Sequence, residues 1–146
     1  MKSYSNIISL TQNARGIYSI DPVMGCESGM KLGKNGCYDD CYSAKSARLY
    51  GYDFSKIVLR DFENVKHLRQ IAREINNINM PFIRMGSSGD PSENWEHTIY
   101  ICKTLSKLLK QNQIDIFGNT KTEKEIVIIT KHWNILTNRQ LNELSK

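Results

Sequence analysis

The segment Glu125-Ile126-Val127-Ile128-Ile129-Thr130 constrains the fold more than any other part of the chain. It is a β-branched run with almost no apolar–polar alternation, the pattern of a strand covered on both faces in a parallel sheet. Parallel strands need long crossover connections, usually helical, and the preceding sequence supplies them. From about Asn64 to Asn77, Val65, Leu68, Ile71, Ala72 and Ile75 recur at three- and four-residue intervals, while Lys66, Arg69 and Arg73 take the other face. Pro81-Phe82-Ile83-Arg84-Met85 reads as a short strand broken by Gly86-Ser87-Ser88-Gly89. Asp90-Pro91-Ser92-Glu93 then has the parts of a helix start: an Asp cap, Pro at the first helical position and Glu three residues after the cap. The long helix that follows, to about Gln111, has Trp95, Ile99, Cys102, Leu105 and Leu108 along one stripe, so Cys102 reads as core. Strands alternating with helices in this way define an α/β fold built from βα units.

Other elements are weaker. Gly16 to Ile20 and Lys56 to Leu59 each suit a strand, Ser43 to Tyr50 suits a helix, and Thr137-Asn138-Arg139-Gln140 resembles a capping box that opens a last helix. With 146 residues, no repeats and no linker, residues 1–146 are expected to form one domain. Mean hydropathy is -0.47, and no apolar stretch approaches the roughly 18 residues of a membrane span. The first ten residues lack a basic head followed by an apolar run, so a cytoplasmic location is expected. Net charge is +5, but Lys and Arg are spread along the chain, which favours a solvated surface over a nucleic-acid partner.

In a reducing compartment four cysteines read more readily as ligands or thiols than as a disulfide framework. Cys26 is followed after ten residues by Cys37 and after three more by Cys41, with Gly29, Gly33 and Gly36 between the first two. The glycines let this backbone fold tightly enough for the sulfurs to converge. Thiolates suit zinc and iron–sulfur clusters. A structural zinc wants four protein ligands, and the fourth would have to be His67, His97, His132 or Cys102, none at a telling spacing. An iron–sulfur cluster used for chemistry can leave one iron open to a small molecule, which three cysteines allow. The plainest alternative is three unrelated buried thiols.

The segments Gly25-Cys26, Gly36-Cys37-Tyr38-Asp39-Asp40-Cys41-Tyr42-Ser43-Ala44-Lys45 and Arg84-Met85-Gly86-Ser87-Ser88-Gly89-Asp90-Pro91 resemble the radical S-adenosylmethionine enzymes, in particular their divergent phage- and mobile-element-associated members. The resemblance runs from roughly Asp21 to Trp133. It implies that Cys26, Cys37 and Cys41 bind three irons of a [4Fe-4S] cluster, whose fourth iron takes the amino and carboxylate groups of S-adenosylmethionine. It places Tyr42 near the adenosyl group. Gly86, Ser87, Ser88, Gly89 and Asp90 would be the counterpart of the family's glycine-rich acidic motif, which holds the methionine ammonium. Asp90 reads equally well as a helix cap. Thr130 and Lys131, with His132, end the next strand on the same rim, where a side chain meets the cofactor's ribose and carboxylate or the substrate. An ordinary solvated strand end is the plainer reading of Lys131 and His132.

The family's usual cysteine spacing is three and then two residues with the aromatic before the last cysteine, whereas here Tyr42 follows it. A complete six-unit barrel of about 30 residues per unit needs roughly 180 residues. The implied fold is therefore a partial or minimal (β/α) barrel, either an unusually small domain or the N-terminal portion of a longer one. The implied activity is reductive cleavage of S-adenosylmethionine to a 5′-deoxyadenosyl radical that takes hydrogen from a substrate the sequence does not reveal. An electron donor such as flavodoxin or ferredoxin would be the partner, with no role for a membrane. The alternatives are a non-catalytic zinc-binding module contacting nucleic acid, and an inactive cluster-binding fragment.

Overall fold

The computed structural model describes residues 1–31, 37–111, 124–131 and 135–145. Gly33, Gly36, His132 and Trp133 lie outside the described residues. The elements are β1 (Thr11–Gln12), β2 (Tyr18–Ile20), β3 (Val23–Met24), α1 (Ser28–Lys31), α2 (Tyr42–Tyr50), β4 (Val58–Leu59), α3 (Val65–Asn77), β5 (Phe82–Met85), a 3₁₀ turn (Pro91–Asn94), α4 (Trp95–Gln111), β6 (Glu125–Ile128) and α5 (Asn138–Leu144).

Four strands form one sheet in the order β1-β2-β5-β6. β5 pairs in parallel with both β2 and β6, while β1 joins the edge antiparallel to β2. The expected α/β architecture with parallel strands is thus present. Among the described residues this sheet is open and does not close into a barrel, which is compatible with the partial α/β architecture expected. β4, anticipated over Lys56 to Leu59, lies outside that sheet and pairs antiparallel with β3.

The helices begin and end where local chemistry dictates. Asn64 caps α3 by accepting from His67 N–H at 2.9 Å. α2 ends at Gly51, whose φ of 78° is the left-handed cap conformation that glycine adopts without strain. Thr137 and Gln140 form the reciprocal capping box of α5. Asp90 caps through Ser92 N–H, but a 3₁₀ turn precedes α4. The buried face of α4 is wider than the expected stripe: Thr98, Ile101 and Leu109 are buried with Trp95, Ile99, Cys102 and Leu105, whereas Leu108 is half-buried.

α3 and α4 cover one face of the sheet. Ile71, Ala72 and Ile75 of α3 and Ile101, Cys102, Leu105 and Leu109 of α4 form the main core with Ile20, Ile83 and Met85. Since side chains alternate across a strand, the opposite face carries the register row Ser19, Arg84 and Val127. Val127 is 36% exposed and Ile129, on the same side, 45%. The expectation that β6 is covered on both faces is therefore corrected. That second face carries Glu125, Val127 and Ile129, all at least partly exposed. A smaller cluster of Cys26, Ala44, Ala47 and Phe54 seats α2 beside the carboxyl ends of the strands.

Candidate cofactor site

Parallel pairing puts the carboxyl ends of β2, β5 and β6 on one rim, where open α/β sheets bind ligands. Asp21, directly after β2, organises that rim. Its Oδ1 accepts from Gly86 N–H at 3.1 Å and Ser87 N–H at 2.6 Å, and its Oδ2 from Ser88 N–H at 3.2 Å. Burial pushes the Asp21 carboxyl above its usual range, against the opposing pull of these donors and of Arg60. The buried Arg60 ties the neighbouring chain through Ile7 O, Ser9 Oγ and Asp21 O. At the centre of the rim Gly86 has φ of 92°, and a side chain there would collide with Ile129 O and Pro91.

Two glycines bring the first cysteine to this loop. Gly25 and Gly89 pair backbone to backbone, with Gly25 N–H donating to Ser88 O at 3.3 Å and Asp90 N–H to Gly25 O at 3.2 Å. A Cβ on either would run into backbone, Lys56 O for Gly25 and Val23 O for Gly89. Cys26 follows immediately, its N–H donating to Phe54 O at 2.8 Å. Cys41 occupies the N-cap position of α2 without using its side chain as the cap. Ser43 Oγ, two residues further on, donates to Ser87 O at 2.9 Å and so ties α2 to the glycine–serine loop.

The three cysteines line one space. Cys26, Cys37 and Cys41 line a cavity of about 170 Å³ with Ser43, Phe54, Arg84, Gly86, Ser87, Gly89, Asp90, Ile129, Thr130 and Lys131. The three cysteines are free thiols. A Cβ placed on Gly29 would lie 3.3 Å from the Cys37 sulfur and 3.4 Å from that of Cys26, so glycine keeps the space between those sulfurs clear. Among the described residues no three His, Cys, Asp or Glu side chains converge tightly enough to hold a single ion. A cluster spaces its ligands more widely, because each thiolate binds a different iron. The soft donor set and the side-chain-free position between two of its sulfurs fit such a group. Burial, with Glu93 and Asp90 adding, pushes the Cys26 thiol up to about 12, while Gly29 N–H opposes. A bound metal inverts that preference by replacing the proton.

Asp90 is a structural hub. Its Oδ1 accepts from Ser92 N–H at 2.9 Å and Thr130 Oγ1 at 2.6 Å, and its Oδ2 from Lys131 N–H at 3.2 Å. Burial alone would raise its carboxyl, but Thr130, Ser92 and Lys131 together pull it below the usual range. The cap and the fastening of β6 to the rim are thus one interaction.

Of the residues singled out from sequence, Cys26, Cys37, Cys41, Gly86, Ser87, Gly89, Asp90, Thr130 and Lys131 line the cavity. Tyr42 does not: it is 83% exposed on the outer side of α2. Ser88 contributes its backbone, to Asp21 and Gly25, and is absent from the lining. Cys102 packs in the main core, with its sulfur 3.3 Å from that of Met85. His97 meets Arg60 O at 2.8 Å, and His67 accepts from Glu63 N–H. None of these three reaches the cavity, and the remaining proposed fourth zinc ligand, His132, lies outside the described residues. Sequence reading missed Asp21, Ser43 and Arg84. The one available signal was a charged residue inside an otherwise apolar strand, Arg84.

Comparison with protein-family models, with curated proteins and with solved structures finds no match to this chain. Among the described residues no helix is long and apolar enough to cross a membrane.

Proposed function

We propose that this chain is a radical S-adenosylmethionine enzyme domain in which Cys26, Cys37 and Cys41 hold a [4Fe-4S] cluster. The observation that carries the reading is the meeting of these three thiols with the Gly86–Asp90 loop and the end of β6 around one cavity. When bound, the cluster supplies one electron to cleave S-adenosylmethionine into methionine and a 5′-deoxyadenosyl radical, which takes hydrogen from substrate. The chain's own part is placement and exclusion. Asp21 fixes the loop, Gly25 and Gly89 seat Cys26 against it, and Phe54 and Ile129 supply apolar wall. A flavodoxin- or ferredoxin-like donor and a cytoplasmic location belong to the same proposal, since the thiols must stay reduced until loaded.

The test is to incubate anaerobically reconstituted protein with S-adenosylmethionine and dithionite and to assay 5′-deoxyadenosine and methionine. Formation of both, lost in Cys41→Ala, is expected. A cluster-loaded protein that forms neither overturns the catalytic reading for the isolated chain. The exposure of Val127 and Ile129 on the second face of β6 favours one further reading, that another polypeptide covers this face before turnover. Activity appearing only with such a partner would establish it.

A further inference from the structure

On β5, Ile83 and Met85 turn into the helix-covered core, which sends Arg84 to the opposite face, between the buried Ser19 and the partly exposed Val127. The side chain reaches the rim, where one terminal nitrogen donates to Gly86 O at 3.2 Å, and it lines the cysteine cavity. Its Nε is buried and has no hydrogen-bond partner. A guanidinium stays charged and offers five N–H donors in a fork suited to carboxylate and phosphate. None of the ion pairs among the described residues involves Arg84. Among the described residues Asp90 is the only carboxylate lining the cavity, and both of its oxygens already accept hydrogen bonds from Ser92, Thr130 and Lys131. The cavity is therefore lined by a cation that donates a hydrogen bond to Gly86 O and has a buried Nε without a partner, beside a carboxylate committed elsewhere.

We infer that Arg84 is the anion-recognition residue of this cavity, taking a carboxylate or phosphate group of the bound ligand. The group has two sources. One is the methionyl carboxylate of S-adenosylmethionine, an assignment that rests on the proposed function; the other is an anionic group on a separate substrate. Arg84 is a binding residue in either case.

Two titrations separate these sources, each run on the parent chain, Arg84→Gln and Arg84→Lys, with circular dichroism confirming the fold. Cluster-loaded protein is titrated calorimetrically with S-adenosylmethionine and with its decarboxylated analogue. Metal-free protein is titrated with inorganic phosphate, followed by phosphorus NMR line width. For the cofactor source, Arg84→Gln weakens S-adenosylmethionine by about 10- to 100-fold, the effect of a charge-assisted hydrogen-bond pair. The decarboxylated analogue then binds parent and variant alike, and Arg84→Lys recovers part of the loss. For a separate anionic ligand, phosphate binding is lost in Arg84→Gln while S-adenosylmethionine affinity is unchanged. If cluster-loaded parent protein binds no S-adenosylmethionine, the proposed function fails and the phosphate titration alone decides Arg84. Equal binding of both probes by parent and Arg84→Gln, or binding of neither by the parent, overturns the inference. A reduction potential altered without any change in binding does so too, leaving Arg84 as a charge beside the cluster.

Discussion

Replacing Asp21 tests whether the glycine–serine loop is held in place or merely adjacent. The carboxylate accepts three backbone N–H groups, two on Oδ1 and one on Oδ2. Asp21→Ala strands all three in a partly buried site. An unmade buried hydrogen bond costs about 1–3 kcal/mol, and partial water access puts the expectation near the lower end, about 3 kcal/mol in total. That is a large share of the roughly 5–15 kcal/mol that stabilises a domain. With a urea slope of about 1.5 kcal/mol/M, the unfolding midpoint should fall by about 2 M. Asp21→Asn keeps an oxygen for Gly86 and Ser87 but turns an NH₂ group toward Ser88 N–H, so it should lose about one such bond, 1–3 kcal/mol. Urea unfolding followed by far-ultraviolet circular dichroism gives both values. Midpoints within 0.3 M of the parent for both variants, equivalent to about 0.5 kcal/mol, would refute the clamp, and so would an Asn variant less stable than Ala.

Gly29→Ala introduces a methyl group 3.3 and 3.4 Å from two of the ligand sulfurs, so it should cut iron uptake several-fold while shifting the urea midpoint little; full iron loading of this variant would contradict the assigned cluster space. Asp90 has a lowered pKa in the fold, which means that the folded state favours its ionised form. Its stabilising contribution is therefore fully present above the unfolded value of about 3.9 and lost as pH falls through the folded value. Asp90→Asn should flatten this part of the acid limb in a comparison of unfolding midpoints from neutral pH downward, and an unchanged difference between parent and variant across that range would rule the contribution out.

Local patterns were legible wherever one element's own residues decide its form. The spacing of Val65, Leu68, Ile71 and Ile75 makes α3 amphipathic whatever surrounds it, and Asn64 and Thr137 cap by contacts three residues away. Closure of the sheet is a different kind of fact. The run Glu125–Thr130 has the composition of a strand covered twice, but composition does not say whether anything arrives to cover the second face, and Val127 and Ile129 remain exposed. The cysteine site was legible because three thiols in a glycine-rich stretch have few shared purposes. Asp21 was not, since one acidic residue after a short strand has no periodicity and its three partners lie 65 to 67 positions away. Tyr42 shows the limit of adjacency: successive helical residues point about 100° apart, so a neighbour of Cys41 at the start of α2 turns to solvent while the cysteine faces the cavity.

The most direct measurement is anaerobic reconstitution with iron and sulfide, followed by metal and sulfide analysis and a visible spectrum with and without S-adenosylmethionine, on the parent chain and Cys37→Ala. The expected result is brown protein with about four irons per chain, a spectrum perturbed by the cofactor, and marked loss of iron in the variant. A colourless protein holding zinc, or iron content unchanged by Cys37→Ala, would contradict the assignment of Cys26, Cys37 and Cys41 as cluster ligands.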